Sequence, residues 1–135
     1  MKTKINSFTR YFIAIPLLSA FQIGPSATLV GTWKLTSLTA IYPKNMTSKA
    51  RSTAEADIKS TSERLKQTTF VFSKDGHLSF AKHTGTYVIG KDGKTVDFVN
   101  YAKEKSTGLI VKLTTHDLEF TREDDGLTQV FHLVK

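Results

Sequence analysis

The chain contains no cysteine, so it forms no disulfide and offers no thiol for lipid attachment or for a zinc site. It also lacks an apolar run long enough to span a bilayer. Residues 11–23 fall short of the ~20 consecutive apolar residues that a spanning helix needs, and they include Pro16 and Gln22. Clustered basic charge is absent too. The net charge is +7, but Lys2, Lys4 and Arg10 belong to the extreme N-terminus. The other basic residues, from Lys34 to Lys135, are spread along the chain, usually with an acid nearby. A nucleic-acid surface requires a basic stripe interleaved with aromatics, so no nucleic-acid partner is expected.

Signals for chemistry are equally sparse. No Gly-x-Ser-x-Gly elbow or other nucleophile motif occurs, and His116-Asp117, being sequence neighbours, set up no catalytic geometry. The chain is therefore not expected to be an enzyme or to need a cofactor. His77, His83, His116 and His132 have no partner at i+2 or i+4, so no metal site is expected. Asp124-Asp125-Gly126 has too few spaced oxygens for a calcium loop and reads as a turn.

What is present begins with a leader. Lys2, Lys4 and Arg10 flank an apolar stretch, 11–18, and Leu18-Ser19-Ala20 or Pro25-Ser26-Ala27 supplies the small residues that signal peptidase recognises. Residues 1–27 read as an export signal, with cleavage favoured near Ala27 because the strand pattern starts two residues later. The mature chain is expected to be periplasmic or secreted, without stable membrane insertion. Residues 28–135 have the length of one domain.

Within that domain, 29–42 fit a long first strand, with Trp33, Leu35 and Ile41 on one face and Lys34 and Thr36 on the other. Residues 47–67 change texture to Ala, Ser, Lys and Glu and predict a helix. Ser52 and Glu55 have capping-box spacing, Thr47 or Ser48 could cap an earlier start, and Glu55 to Lys59 is a favourable i,i+4 pair. Its apolar stripe is thin: Ala50, Ala54, Ile58, Thr61 and Leu65. Such a helix is either a lid over one end of the fold or a fixed plug.

From 68 onward the segments alternate. Phe70 and Phe72, Leu78 and Phe80, Tyr87 and Ile89, then Val96 and Phe98 point to one side. Leu109, Val111 and Leu113, then Leu118 and Phe120, then Phe131 and Leu133 continue the series. Asp-Gly turns at Asp75-Gly76, Asp92-Gly93 and Asp125-Gly126 favour tight hairpins. The expectation is an all-β fold: an eight-stranded antiparallel up-and-down barrel, with one helix between its first and second strands.

Gly31 and Trp33, in Gly-Thr-Trp-Lys-Leu, form a G-x-W signature. With Phe70-Val71-Phe72-Ser73-Lys74-Asp75-Gly76, Gly85-Thr86-Tyr87 and Leu118-Glu119-Phe120, the chain resembles the bacterial lipocalin-like domain family, and more broadly lipocalins and fatty-acid-binding proteins. The resemblance implies a barrel whose first-strand tryptophan packs across the closed end as a structural plug, often under a late basic side chain. Arg122 and Lys135 are the candidates. Fatty-acid-binding proteins hold a carboxylate with Arg and Tyr near the final strand, where this chain has Phe131-His132-Leu133, so fatty-acid specificity is not implied.

Two functions follow from a barrel of this kind. One is binding of a small hydrophobic or amphipathic ligand, lined by Phe72, Phe80, Tyr87, Phe98 and Phe120 and oriented by Ser37, Thr39, Asn100, Thr115 and Arg122. The other is a filled barrel acting as an interaction or structural module of the envelope, with no small-molecule ligand and a protein partner that the sequence does not specify. An eight-stranded interior is just wide enough for either. A one-residue slip in register would turn any of these side chains outward.

Overall fold

Each alternating segment folds back on its neighbour through a short turn, as the Asp-Gly dipeptides require. The computed structural model describes residues 28–124 and 126–135, with the backbone of Gln22–Ile23. Apart from that backbone, the leader 1–27 and both its cleavage sites lie outside the described residues. The elements are β1 (Gln22–Ile23), β2 (Gly31–Ile41), α1 (Ser48–Leu65), β3 (Thr69–Phe72), β4 (His77–Phe80), β5 (His83–Ile89), β6 (Thr95–Val99), β7 (Lys105–Leu113), β8 (Asp117–Asp124) and β9 (Leu127–Val134). Strands β2 to β9 pair antiparallel in sequence, β2 also pairs with β9, and the ring of eight closes. The short β1 joins it parallel to Lys112 and Leu113 of β7. Among the described residues, one helix forms, and it lies between the first two strands of the ring, as expected.

Two bulges reset the alternation. Between Leu35 and Ser37 the register of β2 against β9 shifts by one residue, so Leu38 points inward and Ile41, expected inside, is 54% exposed. Between Ile110 and Lys112 the same happens in β7 against β8. Ile110 is consequently buried in place of Leu109 and Val111, and Leu113 rejoins the core. Ile89, expected to share the face of Tyr87, is exposed at the end of β5.

The core divides into two levels. At the base, Trp33, Leu35, Phe72, Val96, Ile110, Leu118 and Leu133 are almost completely buried. Gly31 makes this base possible: its φ is +139°, and a Cβ there would meet Lys135 Cε at 2.8 Å. That gap lets Lys135 Nζ lie 4.7 Å above the Trp33 ring and donate to Val30 O. Trp33 Nε1 donates to Leu29 O at 2.9 Å, which satisfies the indole without opening the base. Of the two basic residues expected over the tryptophan, Lys135 takes the position, while Arg122 lies 5.8 Å from Phe131 near the opposite end.

At that opposite end the ring is incomplete. β3 pairs with β2 only along Gly31–Lys34, leaving the upper edge of β2 without a strand. Helix α1 occupies that edge. Thr47 Oγ1 accepts from Ala50 N at its start, and Arg51 pairs with Glu55 on its exposed side, where Glu55 with Lys59 was the expected pair. Ser62 Oγ then accepts from Leu38 N, and Gln67 and Thr68 exchange backbone bonds with Leu35. The Leu38 amide, on the edge that β3 does not reach, is therefore satisfied by the helix. The helix buries only Ile58, and Leu65 packs against the barrel core. Among the described residues, no helix is long and apolar enough to cross a membrane.

Candidate functional site

The short β3 and β4 strands, together with the extension of β2 beyond β3, leave a cleft of about 590 Å³ at the mouth beside α1. Its floor is aromatic. Phe120 and Phe131 stack in parallel at 4.7 Å, Phe70 and Phe80 lie 4.3 Å apart, and Phe98 approaches Phe120 at 5.8 Å. Phe70 meets Phe120 and Phe131 edge-on at 6.4 Å, which ties the two pairs together. Leu38 and Leu65 complete the apolar wall.

The rim is polar. His83, the first residue of β5, and Tyr101, from the β6–β7 turn, stack at 4.5 Å with rings 9° apart. Opposite them stand Arg122 and Gln129, which are cross-strand partners on β8 and β9. Arg122 Nη2 donates to Gln129 Oε1 at 3.0 Å and reaches Asp124 Oδ2 only at 4.0 Å. Its Nε is buried and has no hydrogen-bond partner among the described residues. Lys105, Glu104 and Asp124 also border the cleft, so the rim carries charge of both signs.

Of the residues singled out from sequence, Phe80, Phe98, Asn100, Phe120 and Arg122 meet at this cleft. Phe72 and Tyr87 belong to the base, edge-on to each other at 5.0 Å. Ser37 sits half-buried at the bulge of β2, and Thr39 is exposed. Thr115 lies in the β7–β8 turn at the base, bonded to His116 Nδ1. The bulges and the position of each residue along its strand, rather than its face, separate the two groups. Sequence reasoning assigned no role here to Phe70, Phe131 or Gln129. Phe70 and Phe131 already shared the inward face, and Gln129 follows from Phe131 by the period of two.

One cluster away from the cleft has hydrolase-like composition but not hydrolase geometry. In the β3–β4 turn, Ser73 Oγ lies 2.5 Å from Asp75 Oδ1, and His77 Nδ1 lies 2.9 Å from the same oxygen. A catalytic triad needs the imidazole between hydroxyl and carboxylate; here the carboxylate is in the middle. The cluster closes the turn. Hydrogen bonds from Ser73 and then His77 lower the Asp75 pKa from 3.8 to about 2. A depressed carboxylate stabilises the fold fully above its unfolded pKa and loses that contribution as pH falls through the folded value. The turn is therefore expected to loosen between about pH 4 and pH 2. A carboxyl NMR titration of Asp75 should show a midpoint near 2, and S73A should move it up towards 3.8; a midpoint of 3.8 in the unsubstituted protein would refute the contact.

Among the described residues, no group of three or more His, Cys, Asp or Glu side chains is placed to hold a metal ion. Comparison of the chain with protein-family models, with curated proteins and with solved structures finds no match.

Proposed function

We propose that this chain is an exported, lipocalin-like, non-enzymatic binding protein that takes a small hydrophobic or amphipathic molecule into the mouth of its barrel. The observation carrying this reading is the open space of about 590 Å³ above a floor of five phenylalanines. Concave, mostly apolar sites with a few converging polar groups are where small molecules bind. Burying a ligand against this floor contributes ~0.8 kcal/mol per CH₂, so a modest apolar body gains useful affinity with one polar contact. The packed base supports a half-depth site rather than a through-barrel one.

A titration with N-phenyl-1-naphthylamine, an uncharged dye that brightens in apolar surroundings, tests the reading. Saturable enhancement at one dye per chain is expected. Replacing the cleft residue Ser106 by Trp fills the space and should weaken binding at least about tenfold, the loss that ~1.4 kcal/mol of contact represents. A dye that stays dark in the unsubstituted protein would instead favour the filled-barrel envelope module.

A further inference from the structure

Arg122 is unusual among the charged residues at the mouth. Its position two residues beyond Phe120 on β8 turns it inward, opposite Gly108 and Gln129. There it lies against Phe131, with the side chain 35% exposed and Nε enclosed. One end of the guanidinium is used by Gln129, a neutral acceptor. Asp124 is 4.0 Å away with its side chain 59% exposed, too distant and too solvated to neutralise the group effectively. The guanidinium thus borders the aromatic cleft: its Nε is enclosed and has no acceptor among the described residues, while the accessible part of the side chain lines the open space. A guanidinium on an apolar cleft wall with a neutral partner and a distant, solvated carboxylate is a place where an anionic acceptor from outside fits.

We propose that Arg122 is the polar anchor of the cleft, and that its ligand is a compact organic acid with one carboxylate on a flat apolar body. This rests on the binding reading above. The carboxylate accepts from the accessible Nη end of the guanidinium beside the Gln129 oxygen, a charge-assisted geometry that suits arginine better than lysine. The apolar body lies on Phe98, Phe120 and Phe131. Depth sets the size: the phenylalanine layer blocks passage to the base, so a long acyl chain finds no channel. The site also differs from the carboxylate site of the fatty-acid-binding proteins, whose Arg and Tyr are replaced here by Phe131-His132-Leu133.

Displacement of N-phenyl-1-naphthylamine by 1-naphthoate and by 1-naphthamide separates the anchor from the apolar floor, because the two competitors differ only in the headgroup. On the unsubstituted protein, naphthoate should displace the dye at about tenfold lower concentration than naphthamide. In R122M that preference should vanish. R122K keeps a positive charge without the planar guanidinium fork, and should lose most of it. Equal potency of the two competitors on the unsubstituted protein overturns the anchor while leaving the apolar site intact, as does a full preference persisting in R122M or R122K. Failure of the dye to bind the unsubstituted protein overturns both readings together.

Discussion

Replacing Trp33 by alanine should lower the unfolding free energy by roughly 3–5 kcal/mol, the cost typical of truncating a fully buried large aromatic. The indole is 0% exposed. Its loss leaves a cavity walled by β-strands that close on one another, so the surroundings cannot collapse as they would around a helix end. The substitution also strands Leu29 O, which accepts from the indole, and removes the ring beneath Lys135. Against a typical domain stability of ~5–15 kcal/mol, the change is a large fraction of the total. Urea unfolding followed by far-ultraviolet circular dichroism measures it without relying on the missing fluorophore. W33F should cost distinctly less, since it keeps most of the ring and loses the hydrogen bond. A loss below about 1 kcal/mol in W33A would mean that the base is not sealed by this residue.

Gly85→Ala should destabilise the barrel by roughly 1–3 kcal/mol even though it adds a single methyl group. In an unstrained strand the same exchange would be mildly favourable, because alanine restricts the unfolded chain more than glycine does. Here the added Cβ would collide with Val99 O and press on Asn100 Cα at 3.2 Å. Both are backbone atoms, so no side-chain rotation relieves the contact. The strain falls where β5 approaches the end of β6 at the rim of the cleft. Amide chemical shifts of Val99 and Asn100 should therefore move together with the drop in stability. An alanine variant as stable as the parent would show that β5 and β6 are not held this closely.

The two sites lie at opposite ends of one cylinder, and the contrast explains how it can be both stable and receptive. Burial is concentrated at the base, where Trp33, Phe72, Leu118 and Leu133 leave no room. The mouth gives up part of that burial because β3 and β4 are only four residues long and β2 runs on past β3. Space at the mouth thus comes from unequal strand lengths. The helix and the residues that follow it cover the unpaired edge of β2 through Ser62 and the backbone of Gln67 and Thr68, which pairs the Leu35 and Leu38 amides there.

Much of this architecture is legible in the amino-acid order alone. Alternation marks eight strands, Asp-Gly dipeptides mark hairpin turns, and the Ala-, Ser- and Lys-rich stretch marks the one helix, because each pattern reports a local periodicity or a local φ requirement. Gly31 and Trp33 could likewise be placed at the start of the first barrel strand. The phase of the alternation was another matter. Nothing in Leu35-Thr36-Ser37 or Ile110-Val111-Lys112 announces a bulge, since a bulge reflects how one strand matches the curvature of its neighbour. Ile41 turned outward, and Ile110 inward, for that reason.

The site divides along the same line. That Phe80, Phe98, Phe120 and Arg122 face inward follows from their period of two, a property of the chain itself. Which inward residues bound open space, and which are packed solid, depends on height along the barrel axis. Height is set by strand length, stagger and the two bulges, which are relations between segments far apart in sequence. Only the folded ring brings Phe70 and Phe131 beside Phe120, sends Thr115 to the opposite end, and sets Arg122 on the wall of the cleft.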